Sequence, residues 1–230
     1  MNPTPESFLA APTPPVSESA ATTGALPAPA PPWVQVGPVL AWLTSVLEPL
    51  DLAALFGREA PVEVDLGCGD GGFLLRYALQ HPERNFLGVE RLLGRIRKLD
   101  RKAPRLGLTN LRALRVDAAY LVRYLLRPGT VAAFHIYFPD PWPKKRHRGR
   151  RLVNAAFADA LHRALGPDGR VYLRTDDADY FAQMQEAFAI GPGWMPVAKP
   201  PELLAVRTDF EEEFLAQGRT TRSAAYAKAG

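Results

Sequence analysis

The sequence predicts an α/β fold: a mostly parallel sheet covered by helices on both faces. Three observations predict it. Short apolar runs of strand length recur along the chain, most are followed by a segment with helical apolar spacing, and the joins are short and rich in Gly, Pro and Asp. At 230 residues the chain is long enough for one good-sized domain with a real core.

The first 32 residues, MNPTPESFLAAPTPPVSESAATTGALPAPAPP, are Pro, Ala, Ser and Thr with almost no charge or aromatic content. Such a segment cannot bury enough apolar area to offset its ordering entropy, so residues 1–32 are expected to be a disordered tail ahead of a single domain over 33–230. It lacks the basic and apolar regions of a secretory signal and the arginines of a mitochondrial presequence. From Val39 to Phe56 the spacing of Leu40, Leu43, Val46, Leu47, Leu50 and Leu55 predicts a helix, broken or kinked near Pro49. PVEVDLG is a strand running into a glycine loop, and GFLLRYALQH a helix. NFLGVE is the second strand, and the basic helix RLLGRIRKLDRKA that follows stops at Pro104. NLRALRV is the third strand, AYLVRYLL a helix ended by RPG, and TVAAFHIYFPD the fourth strand. RLVNAAFADALHRAL is helical up to GPDG, which turns into the fifth strand, RVYLRT. DADYFAQMQEAFA is the last helix of the series, ended by GPG.

Hydrophobic residues make up 47% of the chain, yet no apolar run approaches the length of a membrane span. The single cysteine, Cys68, rules out a disulfide within the chain and fits a reducing, cytoplasmic setting. His81, His135, His147 and His162 have no ligand spacing, so no metal is expected. The net charge is only +4, but it is unevenly spread. Residues 1–57 carry no Lys or Arg, whereas Arg91 to Arg174 hold 20 Lys and Arg against 5 Asp and Glu. A basic middle of this kind fits a polyanion, nucleic acid before membrane.

In open α/β sheets ligands bind at the carboxyl ends of the strands. The first strand ends in VEVDLGCGDGG, where Gly67, Gly69 and Gly71 allow a tight turn and close approach of the backbone to a ligand. Glu90 ends the second strand, placed to accept ribose hydroxyls of an adenosine, and Asp117 follows the third, at the adenine end. A dinucleotide needs G-x-G-x-x-G for its pyrophosphate. This loop reads G-C-G-D-G-G, with Asp70 where a phosphate would lie and Glu63 and Asp65 on the strand before it. Carboxylates repel phosphates and suit a sulfonium and an ammonium, which favours S-adenosylmethionine over NAD or ATP. Cys68 reads as a small space-filling residue.

The fourth strand delivers Asp140 to the same edge between Pro139 and Pro141, which hold it on a stiff extended loop. Trp142 stacks on a base or caps the core. Lys144, Lys145, Arg146, His147, Arg148, Arg150 and Arg151 follow with no acid between them, as phosphate neutralisation requires.

The blocks VEVDLGCGDG, FLGVE, FPDPWPKKRHRGRR, YLRTDDADYF and RTDFEEEFLAQG closely resemble, in order and spacing, the bacterial tRNA (guanine-N7-)-methyltransferases, over roughly residues 37–227. That resemblance implies a Rossmann-like class I S-adenosylmethionine-dependent methyltransferase fold. It implies that Glu63, Glu90, Asp117 and Asp140 bind S-adenosylmethionine beside Gly67 and Gly69, with Asp140 also catalytic. Lys144, Asp176, Thr208, Asp209, Phe210 and Glu211 match substrate-contacting positions, and Arg146, His147, Arg148, Arg150 and Arg151 the RNA-contacting segment. The implied substrate is the variable-loop guanosine of tRNA, position 46 in standard tRNA numbering. Two departures stand out: Gly149 interrupts the basic run, and TDDADYF has no Trp after its Thr-Asp.

N7 of guanine carries a lone pair and no proton, so attack on a sulfonium methyl needs alignment rather than a general base. The purine becomes cationic, and carboxylates such as Asp140 or Asp176 can accept from its N1 and N2 hydrogens and stabilise that charge. The alternative readings are another S-adenosylmethionine-dependent nucleic-acid methyltransferase, of the amino-methylating kind, or a non-catalytic RNA-binding subunit on the same fold. An NAD oxidoreductase fails on the glycine spacing. Oligomeric state is not set by the sequence.

Overall fold

The computed structural model describes residues 30–191 and 193–229, so the tail expected over 1–32 lies outside the described residues apart from its last three. Nine strands among the described residues form one sheet: β1 (Trp33–Gln35), β2 (Leu40–Leu43), β3 (Val62–Leu66), β4 (Asn85–Val89), β5 (Leu111–Leu114), β6 (Val131–Tyr137), β7 (Leu165–Thr175), β8 (Trp194–Pro196) and β9 (Arg222–Lys228). Their order is β1-β2-β5-β4-β3-β6-β7-β9-β8. The six strands from β2 to β7 pair in parallel, while β1 and β9 run antiparallel to β2 and β7. The chain steps outward from β3 to β4 and β5, then returns to the other side of β3 for β6 and β7. That reversal opens a crevice at the carboxyl ends of β3 and β6, where an α/β sheet binds its ligand.

The helices are α1 (Leu52–Phe56), α2 (Gly72–Gln80), α3 (Leu93–Lys102), α4 (Ala118–Tyr120, continued by a π-helical turn over Leu121–Leu125), α5 (Ala155–Ala164), α6 (Ala178–Ile190), α7 (Pro201–Ala205) and α8 (Asp209–Ala216). Two buried clusters cover the two faces of the sheet. Strand alternation distributes β6 between them: Phe134 and Ile136 join α5 and α6, whereas Ala133 and Tyr137 join α2 and α3. The same alternation puts Val64 and Leu66 of β3 in the first cluster, which turns Glu63 and Asp65 to the opposite face.

The helix expected over 39–56 is absent. Leu40 and Ala41 instead pair with Ala113 and Leu114 as β2, and only Leu52–Phe56 is helical. Pro38 and Pro49 bound the stretch, and the Asp100 carboxylate of α3 accepts from the backbone N–H of Val39 (2.9 Å) and Leu40 (2.8 Å), which holds the strand to the helix. Leu47, needed for the apolar stripe of a helix, is 85% exposed. The GPDG turn lies inside β7, where the pairing jumps from Val131–Leu165 to Ala133–Arg170 and Asp168 takes φ of 58°. Strands β8 and β9 were not foreshadowed. β9 is rich in small residues and pairs with β7 from Arg170–Ala227 to Thr175–Arg222.

Candidate active site

The glycine loop after β3 adopts left-handed backbone at Gly67, Gly69 and Gly71, with φ of 89°, 56° and 81°. At Gly71 a Cβ would also meet a methyl of Leu99 at 2.3 Å, so both conformation and α3 packing require glycine there. The loop is pinned to the neighbouring strand by the N–H groups of Gly67 and Cys68, which donate to the Val89 carbonyl at 2.8 and 3.0 Å. Glu90 is oriented by backbone alone: Gly69 N–H donates to one oxygen (3.2 Å) and Leu92 N–H to the other (2.7 Å). Asp117 caps α4, accepting from the Tyr120 N–H at 3.0 Å. Burial pushes the Cys68 thiol well above its ordinary pKa, and Asp65 and Glu90 add to the effect, so it is not a thiolate.

Glu63 does not reach this loop. It occupies the second position of β3, and its carboxylate accepts from Arg84 Nη1 (2.7 Å) and His135 Nε2 (2.7 Å). Burial opposes its ionisation, but His135 and Arg84 together hold its pKa below the usual value. His135 Nδ1 is in turn hydrogen-bonded to the Tyr137 hydroxyl, 2.8 Å away. Glu63 is therefore a member of a buried polar network rather than a cavity-lining acid, and the cofactor role expected of it does not fit its position. Asp65, two residues on and about 7 Å nearer the ligand edge on the same face, lines the cavity instead. No hydrogen bond reaches its carboxylate among the described residues. Burial, reinforced by the charge of Glu90, raises its pKa to about 7 against the opposing pull of Arg174. Both acids share a strand face, so periodicity alone could not choose between them; distance along the strand does.

The segment after β6 is held under strain. Phe138 and Trp142 both have positive φ (51° and 42°), an uncommon conformation for bulky residues, on either side of Pro139-Asp140-Pro141. Asp140 is exposed at the tip. Arg151, expected among the RNA contacts, is buried. Its guanidinium donates to the Pro141 carbonyl (2.7 Å), Gln183 Oε1 (2.9 Å) and Asp179 Oδ2 (2.7 Å), and it lies over the Tyr180 ring at 4.8 Å. With every face occupied it cannot meet a phosphate; it clamps the loop. Arg148 pairs with Asp179 at 2.9 Å, and Arg150 lies 4.9 Å over the indole of Trp142. Lys144, Lys145, Arg146 and Arg150 are exposed along the 3-10 turn, while His147 is half-buried edge-on to Trp142.

Thr208 and Glu211 form a capping box at the start of α8: Glu211 N–H donates to the Thr208 hydroxyl (3.0 Å), and Thr208 N–H to Glu211 (3.4 Å). Glu211 also pairs with the buried Arg174 of β7 at 2.7 Å. Arg174 donates to the carbonyls of Leu203 and Val206 at 2.6 and 2.8 Å and packs on Tyr137. These bonds seat α8 against the carboxyl edge, with Asp209 held by Arg76 at 3.2 Å and Phe210 under the guanidinium of Arg95 at 5.7 Å. Asp176 is paired with Arg219; the cap of α6 is its neighbour Asp177.

Two adjoining cavities result. One, of about 280 Å³, is lined by Asp65, the Gly67–Asp70 loop, Arg95, Lys98, Thr208 and Asp209. The other, of about 510 Å³, runs from Glu90 and Asp117 to Asp140, Trp142 and Arg150. Gly67, Arg95, Tyr137, Phe138 and Phe210 line both. Of the expected site residues, the structure gathers Gly67, Gly69, Glu90, Asp117, Asp140, Arg150, Thr208, Asp209 and Phe210 around these cavities. Glu63, Lys144, Arg146, His147, Arg148, Asp176 and Glu211 lie outside their walls, and Arg151 borders the second from a buried position. Arg95 and Tyr137 carry no assignment from sequence, and Asp65 only a general one, as one of the acids around the glycine loop. Among the described residues no helix is long and apolar enough to cross a membrane, and no acid, His and Cys cluster could hold a metal.

Residues 59–224 match a family model described as "Putative methyltransferase". Two solved structures share the fold: the 16S rRNA methyltransferase KamB, with TM-score 0.57 and 17% identity over 78% of this chain and 93% of that one, and TrmN from Thermus thermophilus, with TM-score 0.53 and 20% identity over 77% and 47%. Fold and site thus define an enzyme of the Rossmann-like methyltransferase class. The tRNA (guanine-N(7)-)-methyltransferase of Rubrobacter xylanophilus is 38% identical over 72% of this chain and 76% of its own length. That of Halorhodospira halophila is 39% identical over 77% and 79%, and that of Bordetella pertussis 42% identical over 63% and 57%. The chain belongs to the tRNA (guanine-N(7)-)-methyltransferase family.

Proposed function

We propose that this protein transfers a methyl group from S-adenosylmethionine to N7 of a tRNA guanosine, the variable-loop guanosine at position 46. The observation that carries the reading is the second cavity. Two backbone- or cap-oriented carboxylates, Glu90 and Asp117, stand at one end, and Asp140 stands at the other beside Trp142 and Arg150.

The residues fit the cofactor. The methionine head group carries an ammonium and a carboxylate, and the smaller cavity offers Asp65 and Asp70 for the one and Arg95 and Lys98 for the other. Asp70 is paired with Lys98 at 2.8 Å through one oxygen, and its second oxygen is buried without a partner. Glu90 and Asp117 would take the ribose and adenine ends. When bound, S-adenosylmethionine supplies the electrophilic methyl that the N7 lone pair takes up.

The chain's own residues supply position and charge. Phe138 and Phe210 wall the cavity. The strained Phe138–Trp142 loop fixes Asp140, whose carboxylate accepts from the guanine N1 and N2 hydrogens and stabilises the cation formed by N7 alkylation. No proton leaves N7, so Asp140 acts by orientation and electrostatics. Lys144, Lys145, Arg146 and Arg150 neutralise the phosphates around the target.

Incubation with labelled S-adenosylmethionine and bulk tRNA, followed by strand scission at 7-methylguanosine, tests the reading. It expects label and a break at the variable-loop guanosine. Transfer to an adenine or cytosine amine would favour the amino-methylating alternative, and no transfer at all would remove the proposal.

A further inference from the structure

The cations of the loop after β6 account for only part of the basic middle. The helix α3 carries another part, sorted by face. Ile96, Leu99 and the adjoining Ala103 are buried against the sheet. Arg95 covers Phe210, while Lys98 and Lys102 turn to the glycine loop and donate to the carboxylate and the carbonyl of Asp70. Asp100, the sole acid of the helix, is occupied by the N–H groups of β2. What remains is Arg97 and Arg101, a pair at i and i+4, followed by Arg105 in the next turn. All three are exposed, and among the described residues no carboxylate lies within ion-pair distance of any of them. On an ordinary solvated helix face such cations alternate with acids at i±4; here none is present. The i to i+4 step from Arg97 to Arg101 advances about 6 Å along the axis, and the 3-10 turn Ala103–Leu106 that follows carries Arg105.

Its placement gives it a partner. Helix α3 begins at the ligand edge, two residues after Arg91. Arg91, Arg95 and Arg123 line one lip of the larger cavity, and Gly149, Arg150 and Trp142 the other. A strand whose guanosine enters between these lips has cations on both sides of it.

We propose that the outer face of α3 and of the 3-10 turn that follows it, formed by Arg97, Arg101 and Arg105, is a second contact surface for the RNA sugar-phosphate backbone, on the side of the cavity opposite the 144–150 loop. This deepens the functional reading above and rests on it: the RNA is held from two sides, and base selection is left to the cavity between them. Phosphate contacts of this kind position the RNA and add to the salt dependence of binding without reading sequence.

Filter binding of unmodified tRNA to the full chain at several salt concentrations provides the test, using Arg97→Glu, Arg101→Glu and a control, Arg127→Glu. Arg127 is an exposed arginine beside the amino end of β3 and β6, and its reversal changes net charge by the same amount. The α3 variants are expected to weaken binding about tenfold each and to lower the slope of log Kd against log salt by about one per lost contact. The control is expected to shift binding less than twofold. Unchanged affinity for S-adenosylhomocysteine verifies that each variant is folded at the cofactor site. Equal effects in all three variants would reduce the surface to bulk charge, and no effect in the α3 variants would overturn it. In either case tRNA methylation by the wild-type chain leaves the functional reading standing, whereas wild-type protein that neither binds nor methylates tRNA removes both.

Discussion

The Arg151 guanidinium donates to the Pro141 carbonyl at 2.7 Å, tying a buried cation to the proline that follows Asp140. The last residue of the basic run thus mounts the carboxylate that the run surrounds. Its remaining donors reach Gln183 and Asp179 on α6, so the loop is anchored to a helix of the main core.

Replacing Arg151 by Lys removes the planar fork and keeps the charge. The expected result is a fall in single-turnover rate of about tenfold with tRNA affinity changed less than threefold, the pattern of a misplaced loop. Arg150→Ala is expected to do the reverse, weakening tRNA binding with little change in rate. Rate and filter-binding measurements on the two variants check this; a large loss of tRNA affinity in Arg151→Lys would return that residue to the RNA surface.

The Asp65 pKa of about 7 predicts a pH-linked cofactor site. An ammonium binds the ionised carboxylate, so affinity for S-adenosylhomocysteine rises as pH increases from 6 to 8 and then levels off. Calorimetry in buffers of different ionisation heat should register proton release near pH 6.5. Asp65→Asn should weaken binding and flatten its pH dependence. A wild-type profile that is flat across this range would contradict the assignment.

The same shift has a consequence for stability without ligand. The folded pKa of Asp65 lies above its unfolded value of 3.8, so the folded state binds the proton more tightly and its stability falls as pH rises through about 7. The full effect is at most about 4 kcal/mol. Glu63 has the opposite sign: its lowered pKa stabilises the fold above the ordinary carboxylate range, and that contribution disappears as pH falls through the folded value. Thermal melts at pH 5 and 8 should show Asp65→Asn gaining stability at the higher pH. Glu63→Gln should lose on the order of 3 kcal/mol at neutral pH by unpairing a buried network, yet change S-adenosylhomocysteine affinity far less than Asp65→Asn. The opposite ranking of affinities would restore Glu63 to the cofactor site.

Thr208→Val removes the cap hydroxyl of α8, and Thr208→Ser keeps it. The valine variant is expected to lose about 1 kcal/mol and to raise KM for tRNA severalfold, because Asp209 and Phe210 follow in the first turn. Serine is expected to restore both. If valine alters neither melting nor KM, the capping box does not position the cavity wall.

Much of this was legible in the sequence, for identifiable reasons. The alternation of apolar runs and helical stripes exposes the parallel sheet because β3, β4 and β6 are buried on both faces, which leaves short runs rich in Val, Leu, Phe and Ile bounded by turn residues. Gly67, Gly69 and Gly71 could be placed because left-handed backbone leaves a compositional mark, and Glu90 and Asp117 because ligand-edge acids follow strand ends. The sequence misled where a local pattern had two solutions. Leu40 and Leu43 fit a helix or a strand, and partners far along the chain select the strand: the Asp100 carboxylate, 60 residues from Leu40, and the backbone of β5. Arg151 looked like its neighbours in a run of cations; its burial depends on Asp179 and Gln183 of α6, which no local reading supplies. Thr208 and Glu211 carry a capping-box spacing that sequence could have offered beside their substrate reading. β9 escaped because small residues such as Ala224 and Ala225 carry little strand signal.

The central claim is that Asp140, mounted on a strained loop, accelerates methyl transfer by stabilising the cation formed at the guanine ring. Single-turnover methylation of tRNA by Asp140→Asn, at saturating S-adenosylmethionine and tRNA, tests it most directly, since saturation removes any weakening of binding. The expected result is a rate lowered roughly 100-fold, on the order of 3 kcal/mol, with no dependence on pH that tracks a proton leaving the base. A rate within twofold of wild type would contradict it and leave Asp140 as a residue that only helps to hold the cofactor.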